Sequence, residues 1–197
     1  METIDLNALK NRAYKNACEH GFHDVDYSNE HLLCLVISEL MEAVAADRKG
    51  NYADVGKFIA SNKASIKRTG DSGYFNHVVF DICINDTVDS ELADVVIRCL
   101  DLAGLRGFDV DISDSDVICA NVDYSGYKFT EAVYGVVETI FYMIRNDDEP
   151  DYLSNCINQC IANVYGLAKA IGIDLDWHIN QKMRYNESRS AMHGKKY

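Results

Sequence analysis

The chain has 197 residues, with 31 Asp and Glu against 19 Lys and Arg and a formal net charge of −12. That length allows one sizeable domain or two small ones, with ample chain for a real core, and the charge argues against nucleic acid or an anionic membrane as the main partner. The opening METIDLNALK is no basic-then-apolar leader, and no uncharged apolar run approaches the roughly 18 residues a membrane helix needs, so a cytoplasmic protein is expected. Seven cysteines, at 18, 34, 83, 99, 119, 156 and 160, form no CxxC and read as buried free thiols in a reducing compartment. Cys156 and Cys160 share a helix face, but no partner pair at ligand spacing accompanies them, so packing outweighs zinc.

Apolar residues recur at i, i+3, i+4 and i+7, and proline occurs once, at Pro150, so the chain reads as all-α. A first helix is expected over about 5–20, ending near Gly21. The second, over about 29–48, is capped by Ser28 or Asn29 and stops near Gly50. Its main apolar stripe is Leu33, Val36, Ile37, Leu40, Met41 and Val44. A second stripe, Leu32, Leu35, Glu39 and Glu42, sets two acids beside buried hydrocarbon, unlike a solvated face.

Residues 51–88 are less regular. Short helices are expected there, with a polar loop around 62–74 whose Lys63, Lys67 and Arg68 read as solvated ahead of a phosphate-contacting lid. A helix over about 88–106 follows, with Glu91, Asp94, Arg98, Leu102 and Leu105 on one stripe and Ala93, Val96, Ile97 and Leu100 opposite. Residues 107–126 form a connection. Its DVDISDSD run lacks the central Gly and terminal Glu of a calcium loop. Helices over about 129–146, 151–171 and 174–190 complete the chain.

Residues 99–111 (CLDLAGLRGFDVD) align without gaps on 164–176 (VYGLAKAIGIDLD), with identities at Leu102/Leu167, Ala103/Ala168, Gly107/Gly172, Asp109/Asp174 and Asp111/Asp176. This suggests two helical hairpins, about 28–106 and about 129–190, forming a fused pseudo-dimer. At that offset Glu91 and Asp94 correspond to Cys156 and Gln159, so only the first hairpin keeps its acids.

The acids carry the chemistry. Glu39/Glu42 and Glu91/Asp94 each stand at i, i+3, so each pair shares one helix face. If the two helices pack together, four carboxylates converge, and at about 4 Å and an effective dielectric near 20 each repulsive pair costs roughly 4 kcal/mol. Divalent cations relieve such repulsion, and hard oxygen ligands suit Mg²⁺ or Mn²⁺.

In their contexts, SELMEAVAADRKG and DSELADVVIRCLDLAG, these pairs resemble the MazG-like, all-α nucleoside triphosphate pyrophosphohydrolase superfamily, whose pattern is an ExxE helix followed by an ExxD helix. The closing GIDLDWHINQKMRYNESRSAMHGKKY resembles the family's ending, with its Lys, Asn and Arg. Ser38 and Ser90 stand where many members double the first acid, and the spacing between the pairs is long. The resemblance implies a MazG-like helical bundle over residues 1–197. It also implies Mg²⁺-dependent hydrolysis (Mn²⁺ as substitute) of a ribo- or deoxyribonucleoside triphosphate to the monophosphate and pyrophosphate. Glu39, Glu42, Glu91 and Asp94 would be catalytic residues and metal ligands. Lys182, Asn186 and Arg189, on one stripe at i, i+4 and i+7, would hold phosphate. Arg98 is expected to orient Asp94 through an ion pair. Family members often assemble through their bundles, so a homodimer is one expected assembly. The alternative is a non-catalytic, metal- and nucleotide-binding regulatory helical protein.

Overall fold

The computed structural model describes residues 4–113, 123–145 and 151–194. Among them are eight α-helices and no strand: α1 (Leu6–Glu19), α2 (Asn29–Asp47), α3 (Val55–Thr69), α4 (His77–Cys83), α5 (Val88–Arg106), α6 (Phe129–Arg145), α7 (Tyr152–Ala170) and α8 (Leu175–Asn186). A short 3₁₀ turn, Ala191–Gly194, follows α8. The all-α expectation holds.

Helix α5 is the hub, packed against α1, α2, α7 and α8. Its boundaries are set locally. The Thr87 hydroxyl accepts from the Ser90 amide at 3.3 Å and donates to the Ile84 carbonyl at 2.6 Å, which caps the first turn. Gly107, at φ 78°, closes the last turn in the left-handed conformation. Leu92, Val95, Val96, Cys99 and Leu100 have no exposed surface, and each large apolar side chain buried this way contributes about 1.5–3 kcal/mol. No face of α5 is left over as "opposite": Ile97 lines the same pocket as Asp94 rather than the far side.

Helix α2 packs on α5 through Leu33, Val36, Leu40 and Ala43, all buried. Met41, expected in its core stripe, is 45% exposed. The small Ala43 and Ala46 are buried instead. Ser28 is the cap, its hydroxyl accepting from the His31 amide at 3.3 Å.

The greatest departure from expectation lies at 62–74. Helix α3 runs on to Thr69 and ends at Gly70, φ 73°, so Lys63, Lys67 and Arg68 are exposed residues of a helix rather than of a loop. Only Phe58 and Ser65 of α3 are buried, which is why no apolar stripe announces it. With α4 this segment builds a satellite core of Phe58, Phe80, Cys83 and Ile84 against Trp177 and Tyr185 of α8. Phe58 meets Trp177 edge-on at 5.8 Å and Phe80 stacks on Tyr185 at 4.6 Å. These contacts hold α8 against α5. Helix α8 itself ends at Asn186, so Arg189 lies in the turn beyond it and not on a continuing stripe.

Helices α6 and α7 pack together; α6 reaches α2 and α7 reaches α5. Gly107 and Gly172, at φ 78° and 79°, end α5 and α7 in the same way: Phe108 and Ile173 donate back to the Ala103 and Ala168 carbonyls at 3.2 and 2.9 Å. The aligned segments thus share a helix-ending motif.

The cysteines are mixed. Cys83, Cys99, Cys156 and Cys160 are buried, as expected, but Cys18 and Cys34 are exposed because they fall on the outer faces of α1 and α2; Cys119 lies outside the described residues. Among the described residues no helix is long and apolar enough to cross a membrane.

Helix α1 lies unusually close to α5. A Cβ added at Gly104 would stand 2.5 Å from Tyr14 Cβ and 3.5 Å from the Lys10 carbonyl oxygen. Neither is a flexible side-chain end, so the helices must part to admit a methyl group. Gly104→Ala is expected to lower stability by about 1–3 kcal/mol, read as a reduced midpoint in urea unfolding at unchanged slope.

Candidate active site

Three acids converge where α2 meets α5. One carboxylate oxygen from each of Glu39, Glu91 and Asp94 lies within 4.8 Å of the others. Glu39 and Glu91 are each only 3% exposed. Glu42 is exposed and outside this trio, although its charge is felt at Glu91. Glu39 comes from the middle of α2. Glu91 comes from the first turn of α5, where the helix N-terminus favours negative charge, and Asp94 from the turn after it.

Two cations neutralise part of the cluster. The Arg98 Nε donates to Glu39 Oε1, so Arg98 pairs across to α2 and not with Asp94 as expected. Asp94 is held instead by Lys182 of α8, Nζ to Oδ2 at 2.8 Å. The same ammonium donates to Asn85 Oδ1 at 2.8 Å and to Ser90 Oγ at 3.0 Å. An ammonium has three N–H donors, and this protein supplies a partner for each. Lys182 therefore lies beneath the acids as their internal counterion, not facing a ligand. Ser90 is fully buried and serves as one of its acceptors.

The charges titrate accordingly. Burial pulls Lys182 down, but Asp94 and then Glu91 outweigh it and hold the ammonium above its ordinary value. Burial, reinforced by Asp94, Glu39 and Glu42 against the opposing pull of Lys182, pushes Glu91 up to about 8. No Lys or Arg forms an ion pair with Glu91 among the described residues, so of the three acids it is the one without a cation in direct contact.

Beside the trio a cavity of about 100 Å³ opens between α1, α2, α5 and the end of α8. By volume it holds several waters. Glu39, Asp94 and Arg98 form one end, with Asn186 and Arg189 alongside. Asn186 is 9% exposed, and its Oδ1 is buried without a hydrogen-bond partner. The Arg189 guanidinium lies 5.5 Å over the Tyr185 ring. Thus, of the basic-stripe residues, Asn186 and Arg189 face the pocket and Lys182 does not.

The far end of the pocket contains residues that the motif pattern does not flag: Asn16, His23, Tyr27, His31 and Asp101. One signal is available. Asp94, Arg98 and Asp101 stand at i, i+4 and i+7, which keeps them on one helical face. Burial raises Asp101, while His23 and Arg98 pull it down.

No family model matches this chain, and neither does any curated protein or solved structure.

The donor set fits a hard divalent cation. An octahedral ion about 2.1 Å from its ligands places oxygens roughly 3–4 Å apart, close to the spread of the trio.

Glu91 gives a metal-free test. Its folded pKa lies above the unfolded value, so between about pH 4.5 and 8 the folded chain keeps a proton the unfolded chain has lost. Stability from this group therefore falls as pH rises through that window and is level above it. In chelator, Glu91→Gln should melt increasingly above the unmodified protein from pH 5.5 to 8.5. A constant difference across that range would contradict the assignment.

Proposed function

We propose that this chain is a MazG-like pyrophosphohydrolase that uses Mg²⁺ to cleave a nucleoside triphosphate into monophosphate and pyrophosphate. The observation that carries the reading is the convergence of Glu39, Glu91 and Asp94, two of which, Glu39 and Asp94, line a pocket that also presents Arg189 and the unsatisfied Asn186 amide oxygen. Buried carboxylates on rigid helices suit metal ligation, and a guanidinium beside them suits a phosphate chain.

Bound Mg²⁺ would offset phosphate charge and acidify water. Glu39, Glu91 and Asp94 would hold it, with exposed Glu42 at the rim. Arg189 would grip phosphate oxygens, bidentate where geometry allows, and Asn186 would fix the chain's direction. Water oxygen attacks phosphorus, the bond between the first and second phosphates breaks, the pyrophosphate leaves with that bond's electrons, and a carboxylate of the trio takes the water's proton. Lys182 holds Asp94 in place from below. The shared endings of α5 and α7 support reading α6–α7 as a degenerate copy of α2–α5, with Cys156 and Gln159 at the positions of Glu91 and Asp94.

One observation favours the regulatory alternative: Arg98 and Lys182 already balance two of the three acids, so the cluster is stable without turnover. Pyrophosphate release from a panel of ribo- and deoxyribonucleoside triphosphates decides between them. With Mg²⁺, release is expected; with chelator it stops. Glu91→Gln and Asp94→Asn should each lower kcat by at least about 100-fold, and Glu42→Gln by less than about 10-fold. Mg²⁺ binding with no product from any triphosphate would leave the regulatory reading.

A further inference from the structure

The far end of the pocket is built differently from the acid end. Its wall includes a ring pair: Tyr27 and His31 stack with centroids 4.3 Å apart and planes 13° from parallel. Such a wall suits a flat aromatic ligand. The polar groups there are mostly acceptors. Asn16 Oδ1 is buried without a hydrogen-bond partner. Asp101 faces the pocket with a carboxylate whose Oδ1 is 2.7 Å from His23 Nε2. Nearer the acids, Asn186 Oδ1 is a second buried oxygen without a partner. Two neighbouring donors are engaged, His23 by Asp101 and Arg98 by Glu39, while the Tyr27 hydroxyl and the His31 ring can donate as well as accept.

A ligand that brings N–H groups into this space satisfies the two unpaired amide oxygens and the Asp101 carboxylate. Resting on the nucleotide reading above, we propose that this end of the pocket takes the nucleobase and selects bases with an exocyclic amine (cytosine, adenine or guanine) over uracil and thymine. An exocyclic amine carries two N–H donors on one atom and can serve two acceptors together. Uracil and thymine offer a single ring N–H flanked by two carbonyls, and those carbonyl oxygens would face Asn16 and Asp101. The Asn16 amide can turn to present its NH₂ group. Asp101, its Oδ1 2.7 Å from His23 Nε2, has no amide group to turn, so it decides the preference, as carboxylates do when they read an amino group. Sites built around such a hydrogen bond reject ligands that cannot form it, because a buried polar atom is then stranded.

Calorimetric titration of the full chain with non-hydrolysable α,β-methylene analogues of CTP, ATP, GTP, UTP and TTP, in Mg²⁺, tests this apart from turnover. The tightest amino-base analogue is expected to bind at least about 10-fold more strongly than either keto-base analogue, and the three amino arms identify which base it is. Asp101→Asn, nearly isosteric and able to keep the His23 contact, should bring the ratio within about threefold. Asn16→Ala, which only removes the acceptor, should weaken the preferred analogue by about 10-fold. Uracil or thymine bound as tightly as any amino base overturns the proposal, as does a ratio unchanged in Asp101→Asn or the absence of binding by every analogue. Discrimination without pyrophosphate release leaves base selection standing and removes only the pyrophosphohydrolase.

Discussion

The Lys182 ammonium is the interaction on which this arrangement depends. Removing a charge from water costs several kcal/mol unless partners replace its hydration, and here Asp94, Asn85 and Ser90 do so completely. Each partner imposes a condition elsewhere. Ser90 must be small and buried, and Thr87 must cap α5 so that Ser90 and Glu91 fall at the right turn. Asn85 must be presented by the segment between α4 and α5. Helix α8 must lie against α5, which the ring contacts of Phe58 and Phe80 with Trp177 and Tyr185 enforce. The long segment between the acidic pairs is therefore structural: it forms the brace that holds the counterion under the acids.

Around that cation the acids are unequal by position. Glu39 and Asp94 each have a cationic partner, Glu91 has burial and like charge, and Glu42 has water. Four residues of one chemical kind, in two identical spacings, thus occupy three electrostatic environments. The neighbouring pocket continues the gradient, from carboxylates and a guanidinium at one end to stacked rings and amide oxygens at the other.

Much of this is legible in the sequence because it is local. Periodicity marks the helices, and Val88–Arg106 is bounded as expected because a Thr cap and a left-handed Gly are written at its ends. The stripe of Leu32, Leu35, Glu39 and Glu42 correctly puts Glu39 beside buried surface, though a two-turn stripe does not tell that the last member emerges into solvent. Helix α3 is not legible because its inward face is one Phe and one Ser, too polar for a hydrophobic period. The partners of Arg98 and Asp94 are hidden for another reason. Spacing on one helix suggests that they pair with each other, whereas two helices distant in sequence supply better placed groups. Nor does spacing reveal Asn16, His23 and Tyr27, which join the pocket only through the close passage of α1 over Gly104.

That passage has a kinetic side. The roof of the pocket is α1, and it is fastened to the region after α8: His20 Nε2 lies 3.0 Å from the Arg189 carbonyl oxygen, the Met192 amide donates to the His20 carbonyl at 2.9 Å, and Arg12 pairs with Glu187 at 2.5 Å. The first of these joins residues 169 positions apart. Contacts of such high order form late, since the intervening chain must be ordered before they repay its lost entropy. During synthesis α2 and α5 can meet while α8 is still unmade. In that interval the acids lie together without their lysine, and the cleft above them has no roof. The complete lining of the pocket is thus a property of the finished chain, since it needs both α1 and the segment after α8 in place.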